Sequence, residues 1–257
     1  MNKDWPSVLF VDLDGTIIRG PFEPAVFPVV FCELARKTGL DEKEIRRLAV
    51  QENVDRQRDA NCSAVRAMDW DDIFDTVAAR LGVKLDARAV ELAHSHTRPP
   101  DTAVLDEADQ VLRQLISSRR AIVVATKGLR KYQRPVLDAL GLTPLFTDIL
   151  TPDVNGALKN KLAFYGDWPQ AAQLKISVGD HYEDDVVSPR QFEFTTIWKR
   201  HSSDDALNRL NPFERPANFD YAEGQTVRPD AIIVSLSELP HVVEELESVH
   251  TAAPSQL

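Results

Sequence analysis

Short, almost wholly apolar runs alternate along the chain with stretches whose apolar positions recur every three or four residues. The runs are Val8-Leu9-Phe10-Val11, Ala121–Ala125, Phe146–Leu150, Lys175–Val178, Phe194–Trp198 and Ala231–Val234. Runs of this length without polar alternation suit strands covered on both faces, as in a parallel sheet. Between them, Asp106–Ser117 carries Ala108, Val111, Leu112 and Leu115 at helical spacing. Arg134–Leu140 is stopped by Gly141, and Glu238–Val249 forms a last helical stretch. The alternation predicts an α/β fold built on a Rossmann-like open parallel sheet.

Residues 21–100 interrupt that rhythm. They contain no strand pattern, only the helix-like segments Ala25–Thr38, Asp41–Asp59, Asp69–Leu81 and Asp86–Ser95. The expectation is an inserted all-α helical domain at 21–100, with a discontinuous core made of 1–20 and 101–257. Pro21 and Pro99-Pro100 act as hinges, because proline ends helices and stiffens the exit. Lys199–Pro229 is polar and proline-bearing. It reads as a long surface excursion before the final strand, with no role assigned to it.

Composition narrows the function classes. The chain has 257 residues, 43% of them apolar, and a formal net charge of −10. That is enough to bury a large core. A pI near 5.1 argues against holding nucleic acid by phosphate neutralisation. No apolar run approaches the roughly 20 residues that cross a bilayer. The first residues, Met-Asn-Lys-Asp-Trp-Pro, are too polar for a secretory signal, and the only cysteines are Cys32 and Cys62, both in the insert. The expectation is a cytoplasmic protein, monomer or homodimer, with no disulfide framework, no nucleic-acid partner and no membrane partner.

The chemistry-bearing residues stand where strands end. The first run empties into Asp12-Leu13-Asp14-Gly15-Thr16, and Ile176-Ser177-Val178 into Gly179-Asp180-His181-Tyr182-Glu183-Asp184-Asp185. In open α/β sheets the ligand crevice lies at the carboxyl ends of the strands. Oxygen-only ligands there favour a hard cation such as Mg²⁺, and no His/Cys spacing suggests zinc. Ala121–Ala125 ends in Thr126-Lys127-Gly128, a hydroxyl and backbone N–H groups at a helix start, where anions bind. Leu158-Lys159-Asn160-Lys161 places a cation before Leu162-Ala163-Phe164-Tyr165. Each piece has a plain structural explanation, as an Asp-rich turn, a cap or surface charge. Together they fit phosphoryl transfer, which needs a nucleophile, a metal and positive charge on the phosphoryl oxygens.

Taken in order, these four segments resemble the motifs of the haloacid dehalogenase (HAD) superfamily. Asp12-Leu13-Asp14-Gly15-Thr16 is similar to its first motif and Thr126 to its second. Lys159 with the aromatic pair Phe164 and Tyr165 is similar to the third, with Lys161 as an alternative register. Gly179-Asp180 with Asp185, or less favourably Asp184, is similar to the fourth. Two positions depart from the pattern. Lys127 stands where asparagine often follows the threonine, and the proline often seen beside the third-motif lysine is missing.

The resemblance implies a phosphatase acting on a small phosphorylated metabolite. Asp12 is its nucleophile and Asp14 its general acid and base. Mg²⁺ is held by Asp12, the Asp14 backbone carbonyl, Asp180 and Asp185, and Thr126, Lys127 and Lys159 bind the phosphate. Dehalogenases lack the second acid because a halide leaves without a proton, so Asp14 favours phosphate esters. A phosphomutase and a catalytically inactive binding scaffold are the alternatives. The insert corresponds to a helical cap of the first type, which closes over the core. Within it Arg56, Arg58 and Asn61 could reach a substrate, but each reads more readily as part of an exposed charged helix face. Arg19 carries the same ambiguity, and His94 and His96 are not read as ligands.

Overall fold

The computed structural model describes residues 5–117, 119–200, 209–215 and 227–252. Six strands form one parallel sheet: β1 (Trp5–Val11), β4 (Arg120–Ala125), β5 (Asp148–Leu150), β6 (Ala172–Gly179), β7 (Thr195–Lys199) and β8 (Ala231–Ile233). Their order is β5-β4-β1-β6-β7-β8. The chain builds outward from β1 in one direction, then returns to build outward in the other, so the connections reverse beside β1. A crevice opens at such a point, at the carboxyl ends of the central strands.

The alternation within each strand divides the core into layers. Leu9 and Val11 of β1, with Ile122, Val124, Ile176 and Val178, face α6 (Ala108–Leu115) and the C-terminal helix Leu239–Ala252. Val8 and Phe10, with Ala121 and Val123, face the opposite way onto Phe164, Tyr165, Trp168 and Phe194. Side chains two apart point to one face of a strand, so an apolar run covered on both sides must supply both layers. Phe10 stacks on Phe194 at 5.3 Å and meets Tyr165 edge-on at 5.0 Å. Those contacts fasten the strand that leads to Asp12 onto the segment that follows Lys159.

Residues between β1 and β4 form helices α1 (Phe27–Thr38), α2 (Glu42–Arg58), α3 (Ala64–Met68), α4 (Trp70–Arg80) and α5 (Ala89–Ser95). Local chemistry sets their ends. Gly39, at φ +76, closes α1 in the left-handed conformation. Asp41 caps α2 and Asp69 caps α4, each accepting from a backbone N–H two residues on. The five helices share a cluster that includes Phe27, Phe31, Leu34, Ile45, Phe74 and Ala93. Leu129 and Tyr132, from the start of α7 (Arg130–Ala139), belong to this cluster and not to the sheet's.

Several elements differ from the sequence expectation. α5 begins at Ala89 and not near Asp86, because the N–H groups of Asp86 and Ala87 donate to Glu33 at 2.8 and 3.0 Å, which ties that stretch to α1. α7 begins four residues before Arg134 and runs through Pro135. A proline inside a helix deprives the carbonyl four residues earlier of its donor. That carbonyl is Lys131's, and His94 Nε2 lies 2.7 Å from it. His94 therefore serves the backbone. A two-residue antiparallel pair, β2 (Ile18–Arg19) with β3 (Ala103–Val104), joins the two places where the chain crosses between sheet and helices. It is too short for any periodic signal. Of the 199–229 excursion, residues 201–208 and 216–226 lie outside the described residues. Cys32 and Cys62 are unpaired thiols. Among the described residues, no helix is long and apolar enough to cross a membrane.

Phe10 is 1% exposed and joins strand to aromatic layer, so Phe10→Ala is expected to cost about 3–5 kcal/mol of stability. Urea unfolding followed by circular dichroism measures this; a loss below about 1 kcal/mol contradicts the assigned packing.

Candidate active site

β1 and β6 are neighbours, and the loops that leave them meet. Asp12 N–H donates to the Val178 carbonyl at 2.9 Å, extending the pairing of the two strands by one residue. Asp180 follows β6 directly, and Asp185 sits in a wide turn, Glu183–Val187. Asp12, Asp180 and Asp185 each offer a carboxylate oxygen within 4.8 Å of the others. Lys159, 2% exposed, lies between two of them, with its ammonium 2.5 Å from Asp12 Oδ1 and 2.8 Å from Asp185 Oδ1. Lys161 is exposed, so the structure gives the buried position to Lys159.

Thr16 is the hinge of this arrangement. Its hydroxyl accepts the Asp180 N–H at 3.1 Å and lies 3.1 Å from Asp12 Oδ2 and 3.2 Å from Asp180 Oδ1. A hydroxyl has one proton to donate, so it serves one carboxylate at a time. Gly15, at φ +84, makes the tight turn before it, and a side chain there would collide with the Asp180 carboxylate. Lys199, 1% exposed at the end of β7, donates to the Thr16 carbonyl at 2.9 Å and pairs with Asp106 at 3.1 Å. The loop after β1 is therefore gripped from behind.

Asp14 points elsewhere. Its Oδ2 accepts from Gln133 Nε2 at 2.6 Å. Gln133 is buried on α7 and lies so close to Gly128 that any side chain at 128 would strike its amide. Water reaches Asp14 from the cleft, but the protein walls around it hold its carboxyl up at about 6. The Gln133 amide pulls it down, while Asp12 and Asp180 push it further up. Burial pushes Asp180 up as well, reinforced by Asp12. Burial also pushes Asp185 up, with Asp12 reinforcing and Lys159 opposing. Burial alone would lower the Lys159 ammonium, but Asp12 and Asp185 outweigh it and hold the pKa above the ordinary value.

A cavity of about 530 Å³ opens over these groups, lined by Asp12, Asp14, Thr126, Lys127, Lys159 and Asp180 among others. Asp185 lies behind Lys159, 2% exposed. Thr126 is buried at the end of β4, its hydroxyl accepting the Gly128 N–H at 3.2 Å. The Lys127 ammonium is 2.6 Å from Asp184 Oδ2 and 3.4 Å from Gln57 Oε1 of α2. Asp184 also pairs with His181 at 3.0 Å. Burial works to raise the Asp184 carboxyl, but the His181 hydrogen bond and the Lys127 charge hold it well below the usual range.

Four aspartates against one buried ammonium, with three oxygens converging, fit a hard divalent cation, and among the described residues no histidine or cysteine joins the group. The fit is in the donor chemistry: crowded carboxylates in a protein-walled site need positive charge to stay ionised together.

In the insert's polar run, Arg58 and Asn61 fit the exposed-face reading and Arg56 fits neither. Arg56 neither reaches the cavity nor lies on an exposed face. It is buried, 2.6 Å from Glu52 Oε1 and 2.7 Å from Asp72 Oδ2, and it cross-links α2 to α4. Arg58 and Asn61 are exposed and do not line the cavity. Arg19 does line it and donates to the Pro100 carbonyl at 2.7 Å. Sequence reasoning assigned no role to Thr16, Gln133 or Lys199. Thr16 sits inside the first motif, and Lys199 ends a strand like the other candidates. Gln133 carries no local signal.

No family model matches the chain, and no curated protein matches it in sequence. Solved structures do. A HAD phosphatase from Thermococcus onnurineus aligns over 92% of this chain and 97% of its own, at 23% identity and a TM-score of 0.67. A HAD-hydrolase from Bacillus subtilis bound to magnesium aligns over 94% and 99%, at 16% identity and a TM-score of 0.60. An L-2-haloacid dehalogenase from Xanthobacter autotrophicus aligns over 94% and 99%, at 18% identity and a TM-score of 0.58. At these identities the likeness is one of fold.

Two outcomes follow from the site. In Gln133→Leu the Asp14 carboxyl loses its donor, so its titration midpoint is expected to move above about 6, read by carbon NMR of labelled aspartate. An unchanged midpoint contradicts the assigned hydrogen bond. The second concerns a divalent cation. Asp180 and Asp185 are raised in the folded state. Without a cation their contribution to stability is full below pH 3.8 and is lost as pH rises through the folded values. A cation that replaces the protons reverses this loss. The stability gained on adding Mg²⁺ to the metal-free protein, read as a rise in Tm, should therefore be small at about pH 4.5 and larger at about pH 7.5, reaching about 2.7 kcal/mol near one hundred times Kd. Equal gains at both pH values contradict the site.

Proposed function

We propose that this chain, which has the haloacid dehalogenase-like fold, is a Mg²⁺-dependent phosphatase that hydrolyses a small phosphate monoester through an aspartyl-phosphate on Asp12. The observation that carries this reading is the second acid. Asp14 opens into the same cavity as Asp12, and a donor from Gln133 orients it. A halide leaves without a proton, whereas an alkoxide needs one. Asp14 thus separates phosphate-ester chemistry from dehalogenation on a fold that hosts both.

The steps follow from the side chains. Asp12 attacks the phosphorus, and Lys159 steadies its charge at 2.5 Å. Asp14, with a carboxyl held up at about 6, gives its proton to the leaving oxygen and then takes one from the water that cleaves the acyl phosphate. Thr126, Lys127 and Lys159 hold the phosphoryl oxygens. Asp12, Asp180, Asp185 and the Asp14 backbone carbonyl are the groups that would hold Mg²⁺, and the Bacillus protein of this fold is bound to that ion. When bound, the ion supplies the positive charge that lets a phosphate dianion approach a cluster of carboxylates. Residues 21–100 act as a cap that excludes water from the cavity, which suits a small substrate.

Asp12→Asn is expected to abolish phosphate release while leaving the far-ultraviolet circular dichroism unchanged. Asp14→Asn should lower the single-turnover rate of alcohol release from an alkyl phosphate by about 10²–10⁴-fold but that of acetate release from acetyl phosphate far less, because that leaving group needs no proton and the water step comes afterwards. Equal losses on both substrates would remove Asp14 from the acid role. Isomer formation without phosphate release would point to a phosphomutase.

A further inference from the structure

The half of the cavity that faces away from the carboxylates is apolar and aromatic. Phe22, Met68, Trp70, Leu105 and Tyr132 line it. The aromatic members form one packed unit. Phe22 meets Tyr132 edge-on at 5.1 Å and lies 6.3 Å from Trp70, and Trp70 packs on Phe27 and Phe74 at 4.8 and 5.4 Å. Tyr132 is 2% exposed, and the tryptophan and Phe22 are half-buried. The wall is thus the inner face of the helical cluster, set before any ligand arrives.

The tyrosine hydroxyl on this wall is committed elsewhere. The Tyr132 hydroxyl donates to Asp69 Oδ1 at 2.8 Å and accepts the Asp71 N–H at 3.1 Å. The tyrosine accordingly offers its ring to the cavity. Glu23, also at the rim, is held by Arg46 at 2.9 Å. A sugar or polyol pressed here would lose most of its water hydrogen bonds without replacement, the Trp70 indole N–H being, besides the tyrosine hydroxyl, the one side-chain donor among the wall's five residues. A ring would exchange water for aromatic faces and edges. The volume of about 530 Å³ suits a small ring-bearing ester.

We propose that the group esterified to the phosphate is an aromatic ring, seated against Phe22, Trp70 and Tyr132. This rests on the phosphatase reading for its orientation: the phosphate lies at Asp12 and Lys159, and the leaving oxygen faces Asp14. The ring then lies on the far side of Asp14. The reaction is ordinary hydrolysis: water supplies the hydroxyl that ends on phosphate and the proton that ends on the released alcohol or phenol.

The test separates this inference from the reading beneath it. Benzyl phosphate, glycerol 3-phosphate and glucose 6-phosphate all release alkoxides, so differences in kcat/KM among them report the group and not its acidity. Benzyl phosphate should exceed the other two by about tenfold or more, the scale on which apolar pockets discriminate. In Trp70→Leu that ratio should fall several-fold, and a ratio is insensitive to partial loss of active protein. Polyol or sugar esters turned over as well as benzyl phosphate would overturn the inference, and so would a ratio unmoved by the substitution. Acetyl phosphate hydrolysis by the unaltered chain checks the phosphatase reading alone. If that fails as well, calorimetry of phenylphosphonate against methylphosphonate on the Mg²⁺-loaded chain still decides: about tenfold tighter binding of the phenyl compound supports the aromatic seat, and equal or absent binding ends it.

Discussion

The buried ammonium of Lys159 between Asp12 and Asp185 is the contact on which the rest of the site depends. The parallel sheet brings the ends of β1 and β6 together, and both strands run into acidic loops. Without a central cation the carboxylates would push those loops apart or protonate. Removing one partner of a buried ion pair typically costs about 3–5 kcal/mol, because it strands the other charge. Here it would strand two. The pair does not neutralise the cluster, however. Asp14 and Asp180 remain, their carboxyls raised first by burial and further by the charge of Asp12. The site is thus folded in a state that draws in positive charge, which suits a place where a metal ion and a phosphoryl group are to meet.

Holding such a cluster still requires ties that carry no negative charge. Thr16 spans the two acidic loops with one hydroxyl, and Lys199 holds the backbone of the first loop from beneath. The aromatic pair Phe164 and Tyr165 packs against Phe10, so the Lys159 loop and the strand ending in Asp12 move as one body. Each tie comes from a different strand-to-loop junction. Side chains on the ends of rigid strands can hold their geometry without being buried themselves, and Asp12 and Asp14 both reach the cavity.

The sequence was informative wherever a single strand or loop carried both position and chemistry. All six sheet strands were legible because each packs core on both faces and so reads as a short, mostly apolar run. Asp12, Thr126, Lys159 and Asp180 were legible because they directly follow such runs or a short loop beyond them. What escaped was set by contacts between distant segments. The partner of Gln133 lies 119 positions away, and the carbonyl that Pro135 leaves bare within α7 meets His94 from the insert. Arg56 shows the same limit in reverse. A charged residue on a polar helix reads as solvent-facing until Glu52 and Asp72 are seen to enclose it.

The aromatic wall extends this division of labour. The strand ends supply groups suited to any phosphate ester, and the same sheet supports dehalogenases as readily as phosphatases. What distinguishes one substrate from another must come from the other side of the cavity. There the helical residues Phe22 and Trp70 meet Tyr132, which belongs to the sheet's own α7. Tyr132 is joined to α4 through Asp69 and Asp71, and the next residue, Gln133, holds Asp14. One turn of helix thereby connects the surface that receives the leaving group to the acid that would protonate it. A shift of the helical cluster that disturbed Tyr132 would be felt at Asp14 through a single peptide bond and one side chain. The proposed seat of the leaving group and the proposed acid are thus joined through adjacent residues of α7.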